Sequence, residues 1–229
     1  MHDLAATPTP RVGERASVPG VDGGLSALVV RPEPSAPAAP GILVLPDVQG
    51  YDASTEAAAV RLAAAGYLAV ALDLFSPLGP PPPRSDRSDW DTWTRRLDDR
   101  RQLSDLSAAV AWLGHQRAVD PGRLGILGFS VGGRYAMLLA TGNHELSAVV
   151  TFYSDPRTVR GHPGMGTGPA DLVGSIGVPV CAVYAADDDT IAPESAARFA
   201  ADLAANPGCE AHVVPGRHLF AKETRPTRY

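Results

Sequence analysis

Cysteine is scarce, with only Cys181 and Cys209 in 229 residues. Two thiols are too few for a disulfide framework and stand in no metal-ligand spacing, so reduced, buried thiols in a cytoplasmic protein are expected. No stretch approaches the roughly 18 consecutive apolar residues of a membrane-spanning helix. Met1 to Pro10 has neither a basic nor an apolar signal region, and export is not expected. An excess of positive charge is also missing. The formal net charge is −5 and the arginines are scattered, which argues against a nucleic-acid partner or an anionic membrane.

What is present is ordinary globular composition, 45% apolar and 20% charged, in a length that suits one domain spanning 1–229. Residues 1–10 read as a loose arm. Glu14 to Val18 and Leu25 to Val30 read as strands of an antiparallel hairpin. Gly41 to Leu45 is a continuous apolar strand of the kind buried on both faces of a parallel sheet. Ser54 to Ala65 reads as a helix closed by Gly66, and Leu68 to Leu74 as the next strand. This alternation predicts an α/β fold, a mostly parallel central sheet with helices on both faces. Residues 76–98, with Pro80 to Pro83, Trp90 and Trp93, look too polar and proline-rich for core. They are expected to form a surface loop or a substrate lid at the ligand-binding edge.

The most informative stretch is Arg123 to Ala140, which reads as an apolar strand, an abrupt turn and a helix. Its turn is Gly128-Phe-Ser130-Val-Gly132, the G-x-S-x-G pattern in which the backbone bends sharply and pushes a serine hydroxyl into the open. The new helix also aims its first N–H groups at that serine. Arg134-Tyr135 stands where a phosphate-binding loop needs Lys-Ser/Thr, which excludes that alternative. Leu103, Leu106, Val110 and Leu113 mark the helix before the elbow strand. Ala148 to Tyr153, Val178 to Tyr184 and Ala211 to Val214 read as further strands, with a helix at Ala196 to Ala205.

A serine hydroxyl needs a base to remove its proton, and the base needs a carboxylate to hold its tautomer. Of six histidines, His218 alone follows a late strand; Asp187, Asp188 and Asp189 follow the strand before it. Ser, Asp, His is the chain order of the α/β-hydrolase triad. Tyr153, which closes a strand at the same sheet edge, is a candidate substrate contact.

These residues resemble the dienelactone hydrolase family of α/β-hydrolases over about residues 25 to 225. Pro46-Asp-Val-Gln-Gly50 resembles the family's oxyanion loop, Ala186 to Pro193 its G-x-x-D-x-x-V-P acid motif, and His218-Leu-Phe220 its H-x-F. Counted on that motif, the triad acid is Asp189. The resemblance further implies oxyanion donors at the N–H groups of Val48 and Val131. Four positions differ from dienelactone hydrolase itself: Ser130 replaces its cysteine, Asp47 replaces a glutamate beside the nucleophile, and Pro77 and Lys222 replace two carboxylate-binding arginines. Asp47 and Lys222 are accordingly expected to contact substrate. The family's C-terminal helix has no counterpart before Tyr229, so truncation or a covering partner is expected.

The expectation is therefore a serine hydrolase that cleaves a small ester or lactone by acyl transfer, without cofactor or metal. Homo-oligomerisation is left open. The alternatives are thioester or amide cleavage on the same scaffold, or a binding protein that has kept the pocket.

Overall fold

The computed structural model describes residues 13–32, 38–83, 85–143 and 145–222, with the side chain of Arg87 excepted. The expected N-terminal arm and anything beyond Lys222 lie outside the described residues. The elements in order are β1 (Glu14–Gly20), β2 (Gly23–Val30), β3 (Ala39–Leu45), α1 (Ala53–Ala64), β4 (Leu68–Leu72), α2 (Arg87–Thr94), α3 (Asp99–Gly114) and β5 (Val119–Phe129). They continue with α4 (Val131–Leu139), β6 (Leu146–Phe152), β7 (Val180–Ala185), α5 (Pro193–Leu203) and β8 (Glu210–Val214).

The strands form one sheet in the order β1-β2-β4-β3-β5-β6-β7-β8. The opening hairpin is antiparallel and joins β4 antiparallel, whereas β3 to β8 run parallel to one another. The central strands β3 and β4 are buried on both faces, as continuous apolar runs in parallel sheets must be. Helix α1 packs on β2, β4 and β3, while α3, α4 and α5 contact β1, β3, β5, β6 and β8. The small residues Ala58, Ala59 and Ala63 let α1 lie close to Ala69 and Ala71 of β4. Asp52 caps α1 by accepting from the N–H groups of Ser54 and Thr55.

Strand order reverses at β3. From there the chain moves first to β4 on one side and later to β5 on the other, which opens a crevice beyond the carboxyl ends of β3 and β5. Open α/β sheets bind ligands in such a crevice. The loops that leave β3 and β5 are Pro46 to Gly50 and the turn at Ser130.

The 76–98 segment corrects the expectation of a loop outside the core. Residues Arg87–Thr94 form a helix capped by Asp86, and Trp93 is only 5% exposed. Its indole meets Phe75 edge-on at 5.6 Å and donates from Nε1 to Gly79 O at 3.2 Å. The indole's large apolar area outweighs the polar residues around it. The segment is also tied to the loop after β6. His162 donates from Nε2 to Thr94 O at 2.8 Å, and Asp99 N donates to Gly164 O at 2.7 Å. Beneath both, the buried Arg134 of α4 grips Asp99 with two hydrogen bonds of 2.7 and 3.0 Å and also reaches Thr167 O.

Because Trp93 fastens this segment to the core, Trp93→Ala should lower stability by about 3–5 kcal/mol. Urea unfolding followed by far-UV circular dichroism measures it, and a loss below about 1 kcal/mol would mean that the indole is a surface group.

Candidate active site

The turn after β5 holds Ser130 at φ 49°, ψ −117°, a region that residues with a Cβ rarely occupy. Two backbone bonds fix it there, Ser130 N to Phe152 O at 3.0 Å and Arg134 N to Ser130 O at 3.0 Å. The flanking glycines have a steric cause. A Cβ at Gly128 would lie 2.5 Å from Gly133 Cα, and one at Gly132 would lie 2.4 Å from Pro46 O. The second contact sets the site, because it lays the loop after β3 directly on the first turn of α4. The loop that carries Val48 is thereby laid against the turn that carries Ser130 and Val131. Val131 is the first residue of α4, where a helix leaves its N–H without an internal partner. The β3 loop has its own turn, with Gln49 N and Gly50 N donating to Asp47 Oδ1 and O at 2.7 and 2.9 Å.

His218 follows β8 and is brought to Ser130 across the sheet edge. Its Nε2 lies 3.5 Å from Ser130 Oγ, and its Nδ1 lies 2.9 Å from Asp188 Oδ2 and 3.1 Å from Oδ1. The acid beside the imidazole is thus Asp188, which corrects the expectation of Asp189. Asp189 is more exposed and meets Arg217 at 3.3 Å. The register explains the difference. Asp188 Oδ1 accepts the N–H groups of Thr190 and Ile191, both at 2.8 Å, in a turn that ends on the buried Ile191. The apolar position three residues after the acid is Ile191, and one extra residue separates it from Pro193. Counting back from the proline therefore lands one residue late.

Burial acts to raise the Asp188 pKa, but the hydrogen bond from His218, the Ile191 N–H, the charge of His218 and the Thr190 N–H outweigh it and hold the carboxyl below its ordinary value. A folded-state pKa below the unfolded value of about 3.9 means that this stabilisation is full above that pH and fades as pH falls through the folded value. Asp188 is consequently a carboxylate at neutral pH.

Tyr153 and Lys222 depart from the expected substrate contacts. Tyr153 is 1% exposed and stands under the histidine as a wall, edge-on to the His218 ring at 5.1 Å and packed on Phe129 and Phe220. Burial, and then the charges of Asp47 and Asp52, push its hydroxyl well above the usual tyrosine pKa. Lys222 is the only lysine in the sequence, and it is 4% exposed. Its Nζ lies 2.7 Å from Asp47 Oδ2 and 2.9 Å from Asp52 Oδ2. A lysine held by two carboxylates does not offer a free charge to substrate, and Asp47, also buried, faces the lysine. Beside this cluster lies a small cavity of ≈ 10 Å³, lined in part by Tyr153, Phe129 and Thr55. Asp52 was missed in the sequence, although an aspartate just before Ala53-Ser-Thr is a readable helix cap.

A strained serine at a strand-to-helix turn, a switch-point crevice and a Ser, Asp, His order define an α/β-hydrolase fold. A crystal structure of the "Putative Dienelactone Hydrolase" from Klebsiella pneumoniae has the same fold, with a TM-score of 0.84, 24% identity and coverage of 95% of this chain and 91% of that one. Residues 25–229 match the dienelactone hydrolase family, and the chain belongs to it. Over 218 residues it is 30% identical to a Salmonella typhi "Putative carboxymethylenebutenolidase", across 92% of this chain and 78% of that relative. A stretch of 101 residues is 41% identical to a Bradyrhizobium "Probable 2-oxo-3-(5-oxofuran-2-ylidene)propanoate lactonase", covering 44% of this chain and 40% of that protein. Among the described residues no helix is long and apolar enough to cross a membrane.

The buried lysine carries a stability prediction. Lys222→Met leaves two carboxylates without their cation and should cost about 3–5 kcal/mol. The double variant Asp47→Asn, Lys222→Met should recover part of that loss in the same unfolding assay, whereas additive losses would mean that the two groups do not interact.

Proposed function

We propose that the chain is a cytoplasmic serine hydrolase that opens small esters or lactones by acyl transfer, with Ser130 as nucleophile, His218 as general base and acid, and Asp188 as the group that orients and stabilises the imidazolium. The observation that carries this reading is the relay from Ser130 Oγ through His218 to Asp188, at a turn whose positive φ glycine would adopt without strain. The 3.5 Å serine-to-imidazole distance is within what a site without substrate adopts before the contact tightens.

With Asp188 accepting from Nδ1–H, Nε2 is left unprotonated and able to take the serine proton as Oγ attacks the carbonyl carbon. The negative charge that develops on the carbonyl oxygen is met by the N–H groups of Val48 and Val131. Collapse breaks the acyl C–O bond, and His218 returns the proton to the departing alkoxide. In a lactone this hydroxyl stays attached to the acyl group. Water activated by His218 then releases the acid and restores Ser130.

The neutralised Lys222 also bears on substrate class. A free carboxylate on the substrate would have to compete with Asp47 and Asp52 for that ammonium. Neutral esters and lactones are therefore favoured over anionic analogues of the same size.

Ser130→Ala should lower kcat by about 10³ to 10⁶-fold with the fold intact, and a fluorophosphonate should label wild type stoichiometrically at Ser130 and leave the variant unlabelled. Asp188→Asn should cost about 10² to 10⁴-fold, while Asp189→Asn changes little. Equal losses in the two asparagine variants would remove Asp188 from its role. On matched ester pairs, kcat/KM should be higher for the neutral member, and a preference for the carboxylate-bearing member would mean that a cation does read the substrate. Including thioesters and anilides in the same panel separates the alternative acyl transfers.

A further inference from the structure

We infer that Cys181, Glu210 and His212 form a second site, on β7 and β8, that takes a divalent transition-metal ion of the zinc class. The sequence hides this cluster because Cys181 lies on a different strand from Glu210 and His212. The parallel register pairs Cys181 with Glu210 and Val183 with His212, and strand periodicity returns His212 to the face of Glu210. One ligand atom from each of the three lies within 4.8 Å of the others. His212 Nε2 is already 3.3 Å from Glu210 Oε2. Ligand atoms about 2.0–2.2 Å from a tetrahedral zinc stand roughly 3.4 Å apart, so the nitrogen and oxygen need no rearrangement, and the sulfur lies within 4.8 Å of both.

The donor set decides the class of ion. Thiolate, imidazole and carboxylate together suit zinc and its neighbours, whereas magnesium and calcium call for oxygen alone. The thiolate and the carboxylate carry two negative charges against the ion's two positive ones. Both strands are held by the sheet, so little order has to be created on binding. Strand β8 is the sheet's edge, and Glu210 and His212 are exposed, which leaves the fourth position to water or another donor. Cys181 and Glu210 lie at the amino ends of their strands, opposite the carboxyl ends that carry Ser130 and the loops holding Asp188 and His218. The site is therefore separate from the proposed acyl chemistry.

Cobalt(II) is a visible stand-in for zinc. Titrated into tag-free, chelator-stripped protein, it should give a thiolate-to-cobalt band in the near ultraviolet that saturates at one equivalent and is bleached by zinc. Cys181→Ser should lack the band, and Cys209→Ser should keep it, because Cys209 turns its thiol to Val178 O. Loss of even an outer-shell partner weakens metal sites about 10–100-fold, so His212→Ala and Glu210→Gln should each weaken binding by at least that much. Absence of the band in wild type, its survival in Cys181→Ser, or its loss in Cys209→Ser overturns the assignment. Ester hydrolysis by Cys181→Ser should equal that of wild type.

Discussion

Two backbones meet at Gly132 with no side chain between them, and the candidate active site depends on that contact. A methyl group there would lie 2.4 Å from Pro46 O, far inside van der Waals distance, so any larger residue would push the β3 loop away from the elbow helix. With glycine in place, the loop that carries Val48 lies against the first turn of α4, which begins at Val131. Gly128 plays the matching part beneath the turn, where it lets β5 run into α4 tightly enough to force Ser130 to φ 49°. The strain at the serine is maintained by what packs around it and by the strand bond to Phe152.

A second constraint ties the β3 loop to the rest of the crevice. Lys222, two carboxylates and the first turn of α1 form a buried ionic knot at the point where the first crevice loop meets the last. Removing the charges of Lys222 and Asp47 from water is expensive, with Asp52 only partly covered, and a well-packed apolar cluster would give equal or greater stability. What the knot supplies is geometry. Asp47 holds its own loop through Gln49 N, Asp52 caps α1, and Lys222 closes the turn that carries His218. The loop that carries His218 and the loop after β3 are thereby tied together by one shared ammonium.

Much of this was legible in the chain because it is encoded locally. The elbow is five residues long, the strands are apolar runs bounded by glycine and proline, and Ser130 and His218 follow strands that must end on one edge of a parallel sheet. The 76–98 segment differs for an equally local reason: its composition is that of a loop, and Trp93 becomes a core residue through contacts such as that with Phe75, which precedes the segment in the chain. Asp188 escaped by one position, since three consecutive aspartates are indistinguishable until the buried side chain of Ile191 fixes which of them turns inward.

The sequence on its own carried the fold class, the sharp turn at Ser130, the placement of His218 beside it and the aspartate run that faces the imidazole, because each follows from periodicity, turn chemistry or order along the chain. Tertiary structure alone decided which aspartate meets His218, that the single lysine is enclosed by Asp47 and Asp52, that Tyr153 is a wall under the imidazole, and that Cys181 faces Glu210 and His212. The physical reason is common to all four. Each depends on which side chains two segments distant in sequence present to one another, and that is set by strand register, by the direction in which a loop is buried and by the exclusion of water. None of these leaves a mark on local sequence spacing.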